Sequence, residues 1–170
     1  MSKKHKRHFL KAKEAEAFLK KASEKMKIDL KNAFQDGAKI EIAETELGEI
    51  YFINGKPLIF KREDELLPTL MFNEFLNSAS KVVVDKGAVP HICNGANVMA
   101  PGIVRIEGVF RKGDLVSIVE ERYGKPIALG EALLNSEDAA VTKKGVILKT
   151  VHFVGDKIWN ILKDFAKQFK

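Results

Sequence analysis

The chain has one cysteine, Cys93, so no disulfide can form within it. Its apolar runs extend over only a handful of residues, far short of the ~20 needed by a membrane-spanning helix. The basic opening from Lys3 to Arg7 is followed by no apolar stretch of signal-peptide length. A cytoplasmic, reducing location without a membrane partner is therefore expected. Also missing are Gly-x-x-x-x-Gly-Lys-Ser/Thr, Gly-x-Ser-x-Gly and His-Glu-x-x-His, the sequence marks of phosphate-loop, serine-hydrolase and zincin chemistry. His91 and Cys93 stand two residues apart, with His152 and Asp156 farther on. A structural zinc site takes four ligands, usually with paired cysteines, and this set does not supply them. Cys93 is expected to act as a small buried apolar residue, and no catalytic residue, metal or cofactor is expected.

What is present is enough apolar material for a core and a moderate excess of positive charge. Of 170 residues, 45% are hydrophobic and 31% charged, and Lys+Arg 29 against Asp+Glu 23 gives a net charge of +6. Such a composition excludes disorder along the whole chain. The first acid is Glu14, preceded by Lys3, Lys4, Lys6, Arg7, Lys11 and Lys13 together with His5 and His8. This basic arm has two readings, attraction to a polyanion through counterion release or simply a solvated terminus.

From Lys11 to Lys27, Ala15, Phe18, Leu19, Ala22 and Met26 recur at helical spacing, which predicts an amphipathic helix. After the turn signal Asp36-Gly37, alternation from Lys39 to Thr45 predicts a strand with Ile40, Ile42 and Ala43 facing inward. Gly48 separates it from Glu49–Ile53, and Asn54-Gly55 leads into a further strand, so three antiparallel strands are expected. The acids Glu63, Asp64 and Glu65 precede Leu66–Leu76, where Pro68 suits a first helical turn and predicts a short helix. Beyond a boundary near Asn77–Ser80 come Lys81–Asp85 and then four more strand candidates, beginning at Ile103, Leu115, Pro126 and Gly145. Short strands so spaced suggest a small barrel. A terminal amphipathic helix is expected from Ile158 to Phe169, carrying Trp159, Leu162 and Phe165 on its apolar stripe.

The most informative text runs from Asp85 to Ile106. It places Gly87, Gly95, Gly102, Pro90 and Pro101 between two apolar strands. Gly87-Ala88 and Gly95-Ala96 strip the surface of side chains, which would let a sugar-phosphate backbone approach main-chain N–H groups. The same glycines would equally serve to turn the chain between strand, helix and strand.

The order DKGA, NGANVMAPGI, FRKGDLVSIVEE, KPIALGEALL and GVILKTVHFVGDKIW resembles the PUA domain, an RNA-binding module, from Lys81 to about Trp159. With the N-terminal unit included, the chain resembles the malignant T-cell-amplified-sequence family and its archaeal counterparts. The resemblance implies an α+β protein: a small N-terminal pre-PUA α/β domain at 1–78, a mixed-sheet PUA pseudo-barrel at 79–157, and a C-terminal helix at 158–170 packing on the domains. It also implies binding to structured RNA, either tRNA or small-subunit rRNA, in translation initiation or ribosome recycling. The small ribosomal subunit and an initiation-factor-like protein are the partners it suggests. An accessory subunit presenting tRNA to a separate modifying enzyme is the alternative, and a protein-interaction module is a third reading. Carried over by motif, the RNA-facing residues are Lys86, Gly87, Ala88, Gly95, Ala96, Asn97, Pro101 and Gly102, with Lys149 and His152 from a later strand and Arg105 nearby. Lys149 would meet phosphate, while His152 or Phe153 would stack or pack.

Overall fold

The computed structural model describes residues 5–34 and 37–167. The chain divides into two compact units, one running to Phe75 and resuming at Ile161, the other spanning Leu76–Asn160.

The first unit is built on five strands, β1 (Arg7–Phe9), β2 (Ile40–Thr45), β3 (Gly48–Ile53), β4 (Lys56–Arg62) and β5 (Glu65–Pro68), each antiparallel to the next in that order. The expected three-strand meander is present as β2–β4, with Ile40, Ile42 and Ala43 all buried. Asn54 at φ 52° and Gly55 at φ 85° make its two-residue turn, since both central positions need left-handed backbone. The expected helix is α1 (Ala12–Met26), which buries Phe18, Ala22 and Met26 along one stripe and ends where Lys27 turns left-handed at φ 55°. Phe18 stacks on Tyr51 with ring centroids 4.2 Å apart. Burial, reinforced by its hydrogen bond to Glu49, holds the Tyr51 hydroxyl protonated well above the usual range. A short helix, α2 (Leu30–Ala33), is capped by Asp29.

Two expectations fail in this unit. The basic arm is not wholly a solvated tail, because Arg7, His8 and Phe9 form β1 and pair with Ala43, Ile42 and Glu41. Lys3 and Lys4 lie outside the described residues, as do Asp36 of the turn signal and Phe169 of the terminal helix. The helix expected from Leu66 also starts later. Glu63 adopts φ 58°, so the chain folds back and Glu65–Pro68 pairs with β4, while the helix, α3, occupies only Asn73–Ser78.

The second unit holds β6 (Lys81–Val84), α4 (Val89–Ile92), β7 (Val98–Met99), β8 (Ile103–Glu107), β9 (Leu115–Glu120), β10 (Pro126–Ala132), α5 (Ser136–Val141), β11 (Val146–Phe153) and the start of α6 (Lys157–Lys167). The sheet order is β7-β11-β10-β9-β6-β8, with β6 parallel to β9 and the other neighbours antiparallel. A mixed sheet in this unit and an antiparallel sheet in the first make up the α+β class expected. Val82, Val84, Ile92, Val98, Ile118, Ile147 and Leu148 fill its core. No helix among the described residues is long and apolar enough to cross a membrane.

Candidate nucleic-acid interface

The connection between β6 and β8 folds around a surface cleft and supplies the residues that line it. Asp85 starts the connection: its N–H donates to the Gly102 carbonyl at 2.9 Å, and its Oδ1 accepts the Ala88 N–H at 2.9 Å. Pro90 suits the first turn of α4, where its missing N–H costs nothing. Gly95 then takes φ 95° and the Ala96 N–H returns to the His91 carbonyl at 2.9 Å, which reverses the chain into β7. Thr150 on β11 fixes the reversed segment. Its N–H donates to Asn97 Oδ1 at 3.1 Å and its hydroxyl to the Ala96 carbonyl at 2.8 Å.

The cleft between these segments has a volume of about 520 Å³, and Gly87, Ala88, Ala96, Asn97, Pro101 and Gly102 all line it. Six of the residues expected from sequence are thus brought to one concavity. Asp85, His91 and Met99 line it as well, although none was among the residues named as RNA-facing and His91 was weighed only as a zinc ligand beside Cys93. Their signal was only position, since all three lie within the same glycine-rich segment. Met99 is 46% exposed and pairs directly with the exposed Val146, so the cleft has an apolar lip.

The remaining expected residues lie elsewhere. Lys86 is exposed next to the cleft in sequence, with its N–H donating to Glu121 Oε1 at 3.3 Å. Lys149 is exposed on β11 opposite Glu131, and Arg105 is exposed on β8 with Nε 3.4 Å from Glu107 Oε2. Neither lines the cleft. His152 departs furthest from expectation. It is completely buried, with Nδ1 2.8 Å from Asp156 Oδ2, so it presents no surface to a ligand.

The small residues also have a packing reason. A Cβ on Gly102 would lie 3.2 Å from the Ala88 Cβ, so the two walls approach too closely for larger side chains. At Gly95 a side chain would meet the Phe153 ring at 3.5 Å and would force left-handed backbone on an L-residue. Cys93 is half-buried against the core, and burial raises its thiol pKa. Among the described residues no group of His, Cys, Asp and Glu gathers as a metal site.

Residues 80–154 match the PUA domain, and residues 6–73 match a domain of unknown function, DUF1947. An uncharacterised protein of Methanocaldococcus jannaschii is 38% identical over 159 residues, covering 91% of this chain and 96% of that one. The chain belongs to the PUA-domain family that pairs this module with the DUF1947 region. Within it, translation machinery-associated protein 20 of Saccharomyces cerevisiae is 31% identical over 119 residues, 66% of each chain. Malignant T-cell-amplified sequence 1 of Rattus norvegicus is 28% identical over 118 residues, 66% of this chain and 65% of the rat protein. This PUA protein therefore spans about two thirds of its eukaryotic relatives. The crystal structure of a PUA-domain protein from Aeropyrum pernix superposes with a TM-score of 0.82 at 27% identity, covering 94% of this chain and 92% of that one.

Proposed function

We propose that this PUA protein is a non-catalytic RNA-binding factor of translation that takes structured RNA, tRNA or small-subunit rRNA, against the Asp85–Gly102 cleft. The observation that carries the reading is the convergence of Gly87, Ala88, Ala96, Asn97, Pro101 and Gly102 on one concavity of a PUA domain. A wall of small residues lets a sugar-phosphate backbone lie close, and the exposed Lys86 beside it supplies a cation for phosphate. Likeness to a translation machinery-associated protein of Saccharomyces cerevisiae supports a place in translation. Asp85 on the same wall disfavours phosphate at that point and would leave the RNA to enter from the Lys86 side.

Binding of the purified protein to tRNA and to small-subunit rRNA over a salt series tests this directly. Affinity should fall linearly on a log–log plot as salt rises. Co-sedimentation with small ribosomal subunits separates a ribosomal role from presentation of tRNA to an enzyme. No binding to either RNA at low salt would remove the proposal.

A further inference from the structure

The turn joining β9 to β10 reads Glu120-Glu121-Arg122-Tyr123-Gly124-Lys125. Its backbone is unusually well tied for an exposed loop. The Glu120 carboxylate accepts the N–H groups of Arg122 at 2.8 Å, Tyr123 at 2.9 and 3.0 Å, and Lys125 at 3.0 Å. Those N–H groups, Lys125 first, hold the Glu120 carboxyl below the usual range. The Glu120 N–H donates to the Lys125 carbonyl at 3.0 Å, and the Gly124 N–H donates to the Glu120 carbonyl at 3.1 Å.

With both acids turned to backbone N–H groups, the outward chemistry belongs to the other side chains. Tyr123 is 68% exposed, which packing does not explain. The Arg122 guanidinium carbon lies 5.0 Å from the Tyr123 ring centroid and Lys125 Nζ lies 6.0 Å from it. The turn is also fixed beside the cleft's entrance. The Glu121 N–H donates to the Val84 carbonyl at 3.1 Å, and Glu121 Oε1 accepts the N–H of Lys86, the residue before Gly87 in the cleft wall.

We propose that this turn is a second RNA contact, in which Tyr123 stacks on one unpaired base while Arg122, Lys125 and Lys86 meet the flanking phosphates. The inference rests on the RNA-binding reading of the cleft and extends the RNA path from Gly87 across Lys86 to Tyr123. A base within a duplex has both faces covered, so an exposed ring selects single-stranded or splayed nucleotides. Stacking tolerates any base, because every base has a π-face, and nearby cations serve phosphates without reading sequence. The turn would therefore confer a preference for RNA structure rather than for RNA sequence. A turn whose N–H groups are already satisfied loses little freedom when it binds.

The test uses the full chain and two labelled probes at low salt: a blunt-ended RNA duplex of two strands, and the same duplex with a short single-stranded uridine tail. The wild type should bind the tailed probe more tightly. Tyr123→Ala should weaken tailed-probe binding about fivefold or more, with the blunt probe unaffected and the melting temperature unchanged. Tyr123→Phe should restore tailed-probe binding, since it keeps the ring. Equal affinity of wild type and Tyr123→Ala for the tailed probe overturns the platform while leaving the cleft reading intact. An equal loss on both probes, or a failure of Tyr123→Phe to rescue, also overturns it. If the wild type binds neither probe, the cleft reading falls and the platform falls with it.

Discussion

Asp156 joins the end of β11 to the first turn of α6 through three hydrogen bonds. Its Oδ1 accepts the Trp159 N–H at 2.7 Å, and its Oδ2 accepts the Phe153 N–H at 2.9 Å and lies 2.8 Å from the buried His152 Nδ1. Burial pushes this carboxyl up, but the hydrogen bond and charge of His152 and the two backbone N–H groups outweigh it, and the net shift is downward. A folded-state pKa below the unfolded one stabilises the fold above the ordinary carboxylate range of about 3.9. That contribution is lost as pH falls through the lowered value. Asp156→Ala removes a helix cap and the partner of a buried imidazole, so it should cost about 1–3 kcal/mol at neutral pH. Denaturation of both proteins at neutral pH and below about pH 4 checks this, since their difference should shrink in acid. A difference that stays constant with pH would show that Asp156 acts without its charge. The same geometry explains why His152, expected against RNA, is instead an interior residue.

At the scale of elements, the N-terminal edge shows what three residues contribute when tertiary contacts hold them. Arg7 on β1 donates from Nε and a terminal nitrogen to the two Glu41 carboxylate oxygens, each at 3.1 Å, and its guanidinium lies 3.8 Å from the Phe52 ring centroid. The Arg7 and Glu41 side chains are only 18% and 17% exposed, so solvent screens this bidentate pair less than a surface one. Arg7→Ala should lower stability by about 1–2 kcal/mol through the lost pair and stacking. Chemical denaturation measures it; an unchanged midpoint would mean that the Arg7–Glu41 pair and the Phe52 stacking contribute nothing to stability. Sequence could not reveal β1, because three residues carry no readable alternation and the pairing partner lies 34 positions away. β5 was obscured differently. Leu66, Leu67 and Pro68 satisfy a helix start as well as an edge strand, and only the left-handed Glu63 decides for the strand. α1, β2–β4, β6 and β8–β11 were legible because their periodicity runs long enough or a turn dipeptide frames them. The cleft was legible for a related reason, since six lining residues lie in one glycine-rich segment. His152 was not, because the β10–β11 register shifts between Leu129 and Gly130, and sequence alone does not say which side chains then point inward.

For the molecule as a whole, a surplus of six positive charges is too small to direct binding unless the cations are arranged. Lys86 and Lys149 are exposed, whereas Arg105 already has Glu107 at 3.4 Å and gains less from a phosphate. On the proposed reading, and if the RNA also runs past Lys149 on β11 outside the cleft, Lys86→Ala and Lys149→Ala should each weaken binding similarly across RNA sequences and reduce the salt slope by about one, or somewhat less where the RNA is single-stranded. Arg105→Ala should do less. The residues before β1 belong to a separate effect: deleting 1–4 removes Lys3 and Lys4 and should slow association at low salt without changing which RNA is preferred. A deletion reaching Phe9 would also remove a strand from the first unit, so its consequences would mix stability with binding. Association and dissociation rates measured against a panel of tRNAs at two salt concentrations distinguish these contributions. Rim charges change the association rate and its salt dependence, whereas contacts made in the bound complex change dissociation. If the 1–4 deletion abolishes selectivity while Lys86→Ala and Lys149→Ala leave both rates unchanged, recognition lies in the N-terminal arm, and neither lysine can be assigned to the RNA surface.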